Sequence, residues 1–217
     1  DESESKHAMR VLRLTRGDQV VLIDGRGGWY EASIEEDHPK RCSLRIQSFT
    51  PDYKPLPYHL HLAIPPTKKL DRFEWFLEKA TEIGVSEITP LICHRSERKH
   101  IKAERMERIL VSAMKQSLRA YKPLLNPCTR MSDFLLIERE STKGIAHCYP
   151  TDRKGIMDLE NTGSYTLLIG PEGDFTEAEV SAAKRAGYTP FHLGQSRLRT
   201  ETAGVFVTTA ISILNQK

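Results

Sequence analysis

Two glycine-bearing loops in the last third of the sequence carry residue types that suit ligand binding. The first loop, Gly170-Pro171-Glu172-Gly173, follows the apolar run 167–169. Its glycines permit positive φ and a close approach of the backbone to a ligand. It lacks the features of a P-loop or of Gly-x-Gly-x-x-Gly, Pro171 has no N–H, and Glu172 is negative. The loop therefore disfavours phosphate and suits ribose hydroxyls or a positive centre; the alternative is a tight strand–helix turn without a ligand.

The second loop, residues 194–202 (GQSRLRTET), has a similar setting, because it follows the apolar run 191–193 and leads into a helix that a Thr-Glu-Thr cap begins. Arg199 is expected either to face a substrate phosphate or to form an ion pair with Glu172 or Glu201. In open α/β sheets, ligands bind at the carboxyl ends of the strands. We therefore expect the two loops to lie side by side and to line one pocket.

The strands that position these loops belong to an α/β pattern, in which short apolar runs alternate with amphipathic helices from Leu60 onward. Strands are predicted at Leu60–Ile64, Ile88–Ile92, Ile145–Tyr149, Tyr165–Ile169 and Pro190–Leu193. The pattern predicts a sheet whose carboxyl edge carries the two loops.

Four helices are predicted from apolar spacing and end signals. The first follows Asp71, with Glu74 completing a capping box and Gly84 at its end. The second has an apolar face at Met106, Ile109, Leu110 and Ala113. The third begins at Thr176, with Glu179 three residues later, and stops at Gly187. The last, about Thr202 to Leu214, is apolar nearly all round, which indicates burial in the core or in a subunit interface.

The first sixty residues have a β pattern instead. Strands are predicted at Gln19–Asp24, Trp29–Ile34 and Cys42–Phe49, at a spacing typical of a small barrel. Prolines 51, 55 and 57 then form a stiff connector. We therefore predict two domains, residues 1–56 and 57–217.

Charge and cysteine usage narrow the class of protein. The net charge is +3, and positive residues are densest from Arg95 to Lys122, which suits a phosphate backbone or is simply a solvated helix face. The four cysteines form no Cys-x-x-Cys pair, so no cysteine-based zinc site and no disulfide framework is expected. We interpret them as reduced thiols, most of them in the core of a cytoplasmic protein. No stretch approaches the roughly 18 apolar residues of a membrane span.

The two loops with their flanking residues, IGPEGDFTEAE and LGQSRLRTETA, resemble the RsmE family of 16S ribosomal RNA uridine-N3 methyltransferases, in the SPOUT superfamily. The segment DRFEWFLEKATEIGVSEITPL resembles the middle of that family, and HAMRVLRLTRGDQVVLIDGRGGWYEASI resembles its N-terminal PUA-like β-barrel. The resemblance covers nearly the whole chain in order. It departs from the family at Asp174, where a second glycine is usual, and at 195–197, where Gln-Ser-Arg replaces Pro-Arg-Ile.

The resemblance implies a fold, a cofactor and partners. It implies a deep trefoil knot in the C-terminal domain, a homodimer, S-adenosylmethionine as the cofactor, no metal, and N3-methyluridine in the small ribosomal subunit as the product. The implied cofactor-binding residues are Leu168, Ile169, Gly170, Pro171, Glu172, Gly173, Leu193, Gly194, Leu198, Arg199, Thr200 and Thr202.

The implied reaction also gives roles to charged residues. Uridine N3 must lose its proton, so Arg199 is expected to stabilise negative charge on the uracil oxygens and Glu201 or Glu172 to act as a base. The residues expected to contact RNA phosphates are Arg10, Arg13 and Arg16, with the Arg95–Lys122 face as a second contact.

Three other functions stay open from sequence. A non-catalytic RNA-binding adaptor would bind RNA without the cofactor. A related knotted methyltransferase would act on transfer RNA. A nucleotide-dependent α/β enzyme is disfavoured because the phosphate loop is missing.

Overall fold

The computed structural model describes residues 2–216, which divide into two compact units. The N-terminal unit comprises the chain up to Pro55 together with Leu118–Tyr121. The C-terminal unit comprises Leu56–Ser117 and the chain from Lys122 onward.

The N-terminal unit is built on an antiparallel sheet in the order β1-β2-β3. Its elements are α1 (Glu2–Lys6), a π-helical turn (His7–Val11), β1 (Gln19–Ile23), β2 (Trp29–Glu36) and β3 (Ser43–Thr50). All three strands lie within two residues of their predicted limits. Ala32 and Ile34 alternate along β2 as its buried positions, as expected for a strand with one face on a core.

The C-terminal unit contains a parallel sheet in the order β6-β5-β4-β10-β8-β11-β9, with β7 paired to β5. Its strands are β4 (His59–Ile64), β5 (Glu87–Ile92), β6 (Leu124–Leu125), β7 (Thr129–Arg130), β8 (Thr142–Ala146), β9 (Lys154–Gly155), β10 (Ser164–Ile169) and β11 (Thr189–His192). The α/β class predicted from sequence is confirmed. The strand predicted at Ile145–Tyr149 is displaced, since β8 already ends at Ala146.

Five helices and one short turn complete the described part of the C-terminal unit. They are α2 (Leu70–Ile83), α3 (Ala103–Gln116), α4 (Met131–Leu135), a 3₁₀ turn (Ile156–Asp158), α5 (Glu177–Arg185) and α6 (Thr200–Leu214). Phe73, Phe76, Leu77 and Ala80 form the buried apolar face of α2, and α2 packs against both α3 and α6. At Gly204 of α6 an added Cβ would lie 2.6 Å from the ring of Phe76. Only glycine therefore allows α6 to approach α2 this closely.

Helix caps follow the predictions only in part. Thr176 caps α5, and Glu179 completes the predicted capping box. The capping box predicted at Asp71 and Glu74 is wrong: α2 begins at Leu70 without a side-chain cap, and Glu74 pairs with Arg105. The cap predicted for α6 is also wrong, because no side chain caps that helix and it begins at Thr200.

Cysteine placement differs from expectation as well. Within residues 2–216 all four cysteines are free thiols, but Cys93 alone is buried, while Cys148 is exposed. Burial raises the pKa of the Cys93 thiol. Across the same residues no helix is long and apolar enough to cross a membrane, and no group of His, Cys, Asp and Glu is arranged to hold a metal ion.

Candidate active site

A cavity of about 690 Å³ lies at the carboxyl ends of β8, β10 and β11. We call it the loop cavity. Its lining residues are Arg95, Ala146, His147, Cys148, Tyr149, Pro150, Arg153, Ile169, Gly170, Pro171, Glu172, Gly173, Asp174, Phe191, His192, Leu193, Gly194, Ser196, Arg197, Leu198, Arg199, Thr200 and Ala203. Both loops singled out in the sequence therefore line one cavity at the sheet edge where α/β proteins bind ligands.

The two loops are joined by one side-chain hydrogen bond. The Thr200 hydroxyl donates to the carbonyl oxygen of Gly170 at 3.0 Å. Thr200 is buried and Gly170 is half-buried, which limits the competition of solvent for this bond. The hydroxyl that sequence suggested as part of a helix cap thus fixes the second loop to the first.

The first loop is also anchored to the turns that follow β4 and β5. Glu172 accepts a hydrogen bond from the backbone N–H of Lys68 at 2.8 Å. The guanidinium of Arg95 donates to the carbonyl oxygen of Gly173 at 2.7 Å. These bonds come from residues distant in sequence, and they fix the first loop to the two neighbouring turns.

Asp174 explains how the first loop tolerates its departure from the family pattern. Its backbone adopts φ +62°, a region that favours glycine. Its carboxylate accepts hydrogen bonds from the backbone N–H groups of Cys148 and Phe175, both at 2.8 Å. Aspartate is one of the residues that tolerates this conformation, and these bonds stabilise it.

The loop after β8 is a third wall of the cavity that sequence reasoning missed. In the sheet, β8 lies between β10 and β11, so the two predicted loops are not on neighbouring strands. Residues 147–150, which follow β8, line the loop cavity together with the two predicted loops. Extending the predicted strand to Tyr149 concealed this loop. Ligand sites in α/β sheets follow the carboxyl ends of strands. A predicted strand end at Ala146 would therefore have indicated residues 147–150 as part of the site.

Polar atoms without partners mark this third wall. His147 is 4% exposed, and among the described residues neither of its ring nitrogens has a hydrogen-bond partner. The Nε of Arg153 is buried and also has no hydrogen-bond partner among the described residues, while its Nη1 donates to the carbonyl of His147. Burial lowers the pKa of His147, so the neutral ring offers one donor and one acceptor. Such groups require partners, which a polar ligand would supply.

The predicted cofactor residues fall into two groups. Ten of them line the loop cavity: Ile169, Gly170, Pro171, Glu172, Gly173, Leu193, Gly194, Leu198, Arg199 and Thr200. The side chain of Leu168 is fully buried in the core below the loop, and Thr202 lines a different cavity.

The predicted catalytic residues are close in sequence, but of Arg199 and Glu201 only Arg199 lines the loop cavity. Arg199 is exposed and lines the loop cavity, and within residues 2–216 its side chain pairs with neither Glu172 nor Glu201. Glu201 does not line the loop cavity. It lies 3.7 Å from the Nε of Arg72 and borders a second cavity of about 420 Å³. We call this second space the Trp75 cavity; Asp71, Arg72, Trp75, Arg199, Glu201 and Thr202 line it. Arg199 is thus common to both cavities.

The residues predicted to contact RNA lie mainly on the surface. Arg10, Arg13 and Arg16 are all exposed in the N-terminal unit. In the predicted basic face, several charges are already engaged: Arg98 donates to backbone carbonyls and Lys122 pairs with Glu107. Lys122 of this face is therefore paired within the chain.

Comparison with known proteins places the chain among RNA-modifying enzymes. Residues 54–212 match the family model described as an RNA methyltransferase domain, and residues 1–47 match the RNA methyltransferase PUA domain. The chain is 30% identical to ribosomal RNA small subunit methyltransferase E of Aquifex aeolicus, over 98% of this chain and 91% of that protein.

Solved structures agree with the sequence comparison. A crystal structure described as a probable rRNA-methyltransferase from Porphyromonas gingivalis superposes with a TM-score of 0.94 at 40% identity, covering 99% of this chain and 92% of that one. Ribosomal RNA small subunit methyltransferase E from Neisseria gonorrhoeae, solved with S-adenosylmethionine bound, gives a TM-score of 0.89 at 28% identity. That match covers 99% of this chain and 90% of the other.

Proposed function

The chain belongs to the ribosomal RNA small subunit methyltransferase E family, and we propose that it transfers the methyl group of S-adenosylmethionine to N3 of a uridine in 16S ribosomal RNA. The observation that carries this proposal is that both glycine-bearing loops line one cavity. The Thr200–Gly170 hydrogen bond joins the two loops. A decayed, non-catalytic adaptor would have no need to keep this cavity open.

The loop cavity fits the cofactor in size and in chemistry. Its volume lies within the usual range for small-molecule sites. Its glycine-bearing loops present backbone groups, and Gly194, at φ +106°, leaves open space where a side chain would stand. Residues 169–173 and 193–200 would hold the adenosine part. The unpartnered His147 ring and Arg153 Nε would hold a polar group of the cofactor.

The chain's own residues prepare the base for reaction. When bound, S-adenosylmethionine supplies an electrophilic methyl group on a sulfonium centre. Glu201 accepts the N3 proton of the target uridine, and the electron pair left on N3 forms the new bond to the methyl carbon as the carbon–sulfur bond breaks. Arg199, which borders both cavities, stabilises the negative charge that develops on the uracil oxygens. If Arg199 contacts both the uridine and S-adenosylmethionine, it holds the two reactants close together, which favours in-line transfer of the methyl group.

The wider assembly belongs to the same proposal. Residues 1–56 act as the RNA-binding domain, with Arg10, Arg13 and Arg16 on phosphates, and residues 57–217 form the knotted catalytic domain. The enzyme works in the cytoplasm as a homodimer. The exposed apolar side chains of Phe206 and Ile213 on α6 support a subunit contact along that helix.

A methyl-transfer assay tests the proposed function. The chain is incubated with labelled S-adenosylmethionine and either small ribosomal subunits that lack the modification or unmodified transfer RNA. The RNA is then digested to nucleosides and analysed by mass spectrometry. We expect N3-methyluridine from the small-subunit RNA alone. Label in transfer RNA would favour the related methyltransferase, and cofactor-independent RNA binding without transfer would favour the adaptor.

A further inference from the structure

The Trp75 cavity holds a buried carboxylate that lacks a full set of partners. Glu201 is 6% exposed, yet among the described residues its Oε2 has no hydrogen-bond partner. Its Oε1 lies 3.7 Å from the Nε of Arg72, which is beyond hydrogen-bond distance. A carboxylate in this state accepts a hydrogen bond readily from an N–H group that enters the cavity.

Two arginines and an aromatic ring line the same cavity as this carboxylate. Arg72 and Trp75 are three residues apart on α2, so they share one face of the helix. Trp75 is 43% exposed, although tryptophan is usually well covered in a folded chain. Arg199 completes the lining from the start of α6. The remaining charged residue, Asp71, precedes Arg72 and is exposed.

This set of groups is complementary to uracil. The edge of uracil carries an acceptor at O4, a donor at N3–H and an acceptor at O2. The lining of the Trp75 cavity offers hydrogen-bond donors on the guanidinium groups of Arg72 and Arg199 and an acceptor on the Glu201 carboxylate. Cytosine carries a donor at N4 and an acceptor at N3. Its N4 donor would therefore face an arginine donor, and its N3 acceptor would face the Glu201 carboxylate, which is also an acceptor. Unstacked RNA bases are commonly held on an exposed aromatic ring, which Trp75 provides.

We propose that the Trp75 cavity is the subsite for the target base, in which Trp75 stacks on the ring while Arg72 and Glu201 select uracil over cytosine. This proposal rests on the uridine-N3 activity proposed above. It adds Arg72 and Trp75 to the groups that contact substrate. Because Arg199 borders both cavities, a base in this subsite lies beside a side chain that also lines the loop cavity.

Tryptophan fluorescence tests the stacking directly. The chain has two tryptophans, and Trp29 stacks on Tyr53 with ring centroids 4.2 Å apart in the N-terminal unit. A Trp29→Phe variant therefore makes Trp75 the sole indole while keeping an aromatic ring at 29. This variant, saturated with S-adenosylhomocysteine, is titrated with uridine 5′-monophosphate or cytidine 5′-monophosphate. We expect the uridine nucleotide to quench emission and the cytidine nucleotide to bind roughly tenfold more weakly. Equal quenching by both, or none by either, would overturn the proposal.

Kinetics on small ribosomal subunits separate this subsite from the proposed function. Trp75→Ala and Arg72→Gln should each lower kcat/KM by roughly tenfold or more, with cofactor affinity unchanged in calorimetry. Trp75→Phe should restore most of the activity, and Arg185→Gln, an exposed arginine at the end of α5, should match the parent chain.

Each remaining outcome has one meaning. If the parent chain forms N3-methyluridine and both substitutions leave kcat/KM unchanged, the subsite is wrong and the proposed function stands. If Trp75→Ala lowers activity and sedimentation shows that this variant has lost its dimer, Trp75 serves a subunit contact and the proposed subsite is wrong. If the parent chain methylates no uridine, the proposed function itself fails.

Discussion

Replacing Thr200 with valine should weaken cofactor binding without unfolding the chain. Valine keeps the shape of threonine but cannot donate to the Gly170 carbonyl, which lies 3.0 Å from the hydroxyl oxygen. A neutral hydrogen bond contributes about 1 kcal/mol net, and the half-buried Gly170 carbonyl left without its donor adds a further cost, so the loss is about 1–2 kcal/mol. Because that energy holds the two loops in their binding arrangement, we expect cofactor affinity to fall roughly 5- to 30-fold.

The assay is calorimetric titration with S-adenosylhomocysteine, and α6 supplies its own control. Thr208 is fully buried and donates its hydroxyl to the Gly204 carbonyl at 2.8 Å, within the helix and away from the loops. Thr208→Val should lower the melting temperature by an amount similar to Thr200→Val but leave cofactor affinity unchanged. Thr200→Ser should bind like the parent chain. Parental affinity in Thr200→Val, or an equal loss in Thr208→Val, would refute the reasoning that this bond couples the loops.

Three further predictions follow from the site. Arg199→Ala should lower turnover on small subunits by more than roughly tenfold, because charge on the uracil oxygens loses its partner; parental turnover in a labelled methyl-transfer assay would remove Arg199 from the site. His147→Phe should weaken S-adenosylhomocysteine binding in calorimetry and raise the melting temperature, because it removes two buried ring nitrogens that lack partners. His147→Gln should bind the ligand better than His147→Phe. Unchanged binding in His147→Phe would contradict a ligand contact at residue 147. Substituting Arg10, Arg13 and Arg16 together with glutamine should weaken RNA binding and flatten the dependence of log K on log salt by up to roughly three units of slope; an unchanged slope shows that these side chains do not contact phosphates.

The sequence predicted the elements well where hydrophobic periodicity and caps agreed. The strands that end at Ile64 and Ile169 lie in the buried middle of the sheet, and α5 begins at its Thr176 capping box. These features depend on local residue order, which a single sequence carries.

Errors arose where a distant residue decided the structure. The capping box at Asp71 failed because Glu74 pairs with Arg105 on α3. Thr200 bonds Gly170 instead of capping α6. No local pattern indicates such partners.

The candidate site was predictable only in part for the same reason. Sequence identified two loops, and ten of the twelve proposed cofactor residues line the loop cavity. Strand order was not predictable from periodicity, so the insertion of β8 between β10 and β11, and with it His147, stayed unseen. The separate position of Glu201, beside Arg72 and Trp75, depends on how α6 packs against α2.

A crystal structure of the chain with S-adenosylhomocysteine tests the central claim most directly. We expect density for the adenosine part against the backbone of residues 169–173 and 193–200, with a polar group of the ligand within hydrogen-bond distance of His147 or Arg153. Ligand density elsewhere on the chain, or a loop cavity that stays empty at saturating ligand, would contradict the account.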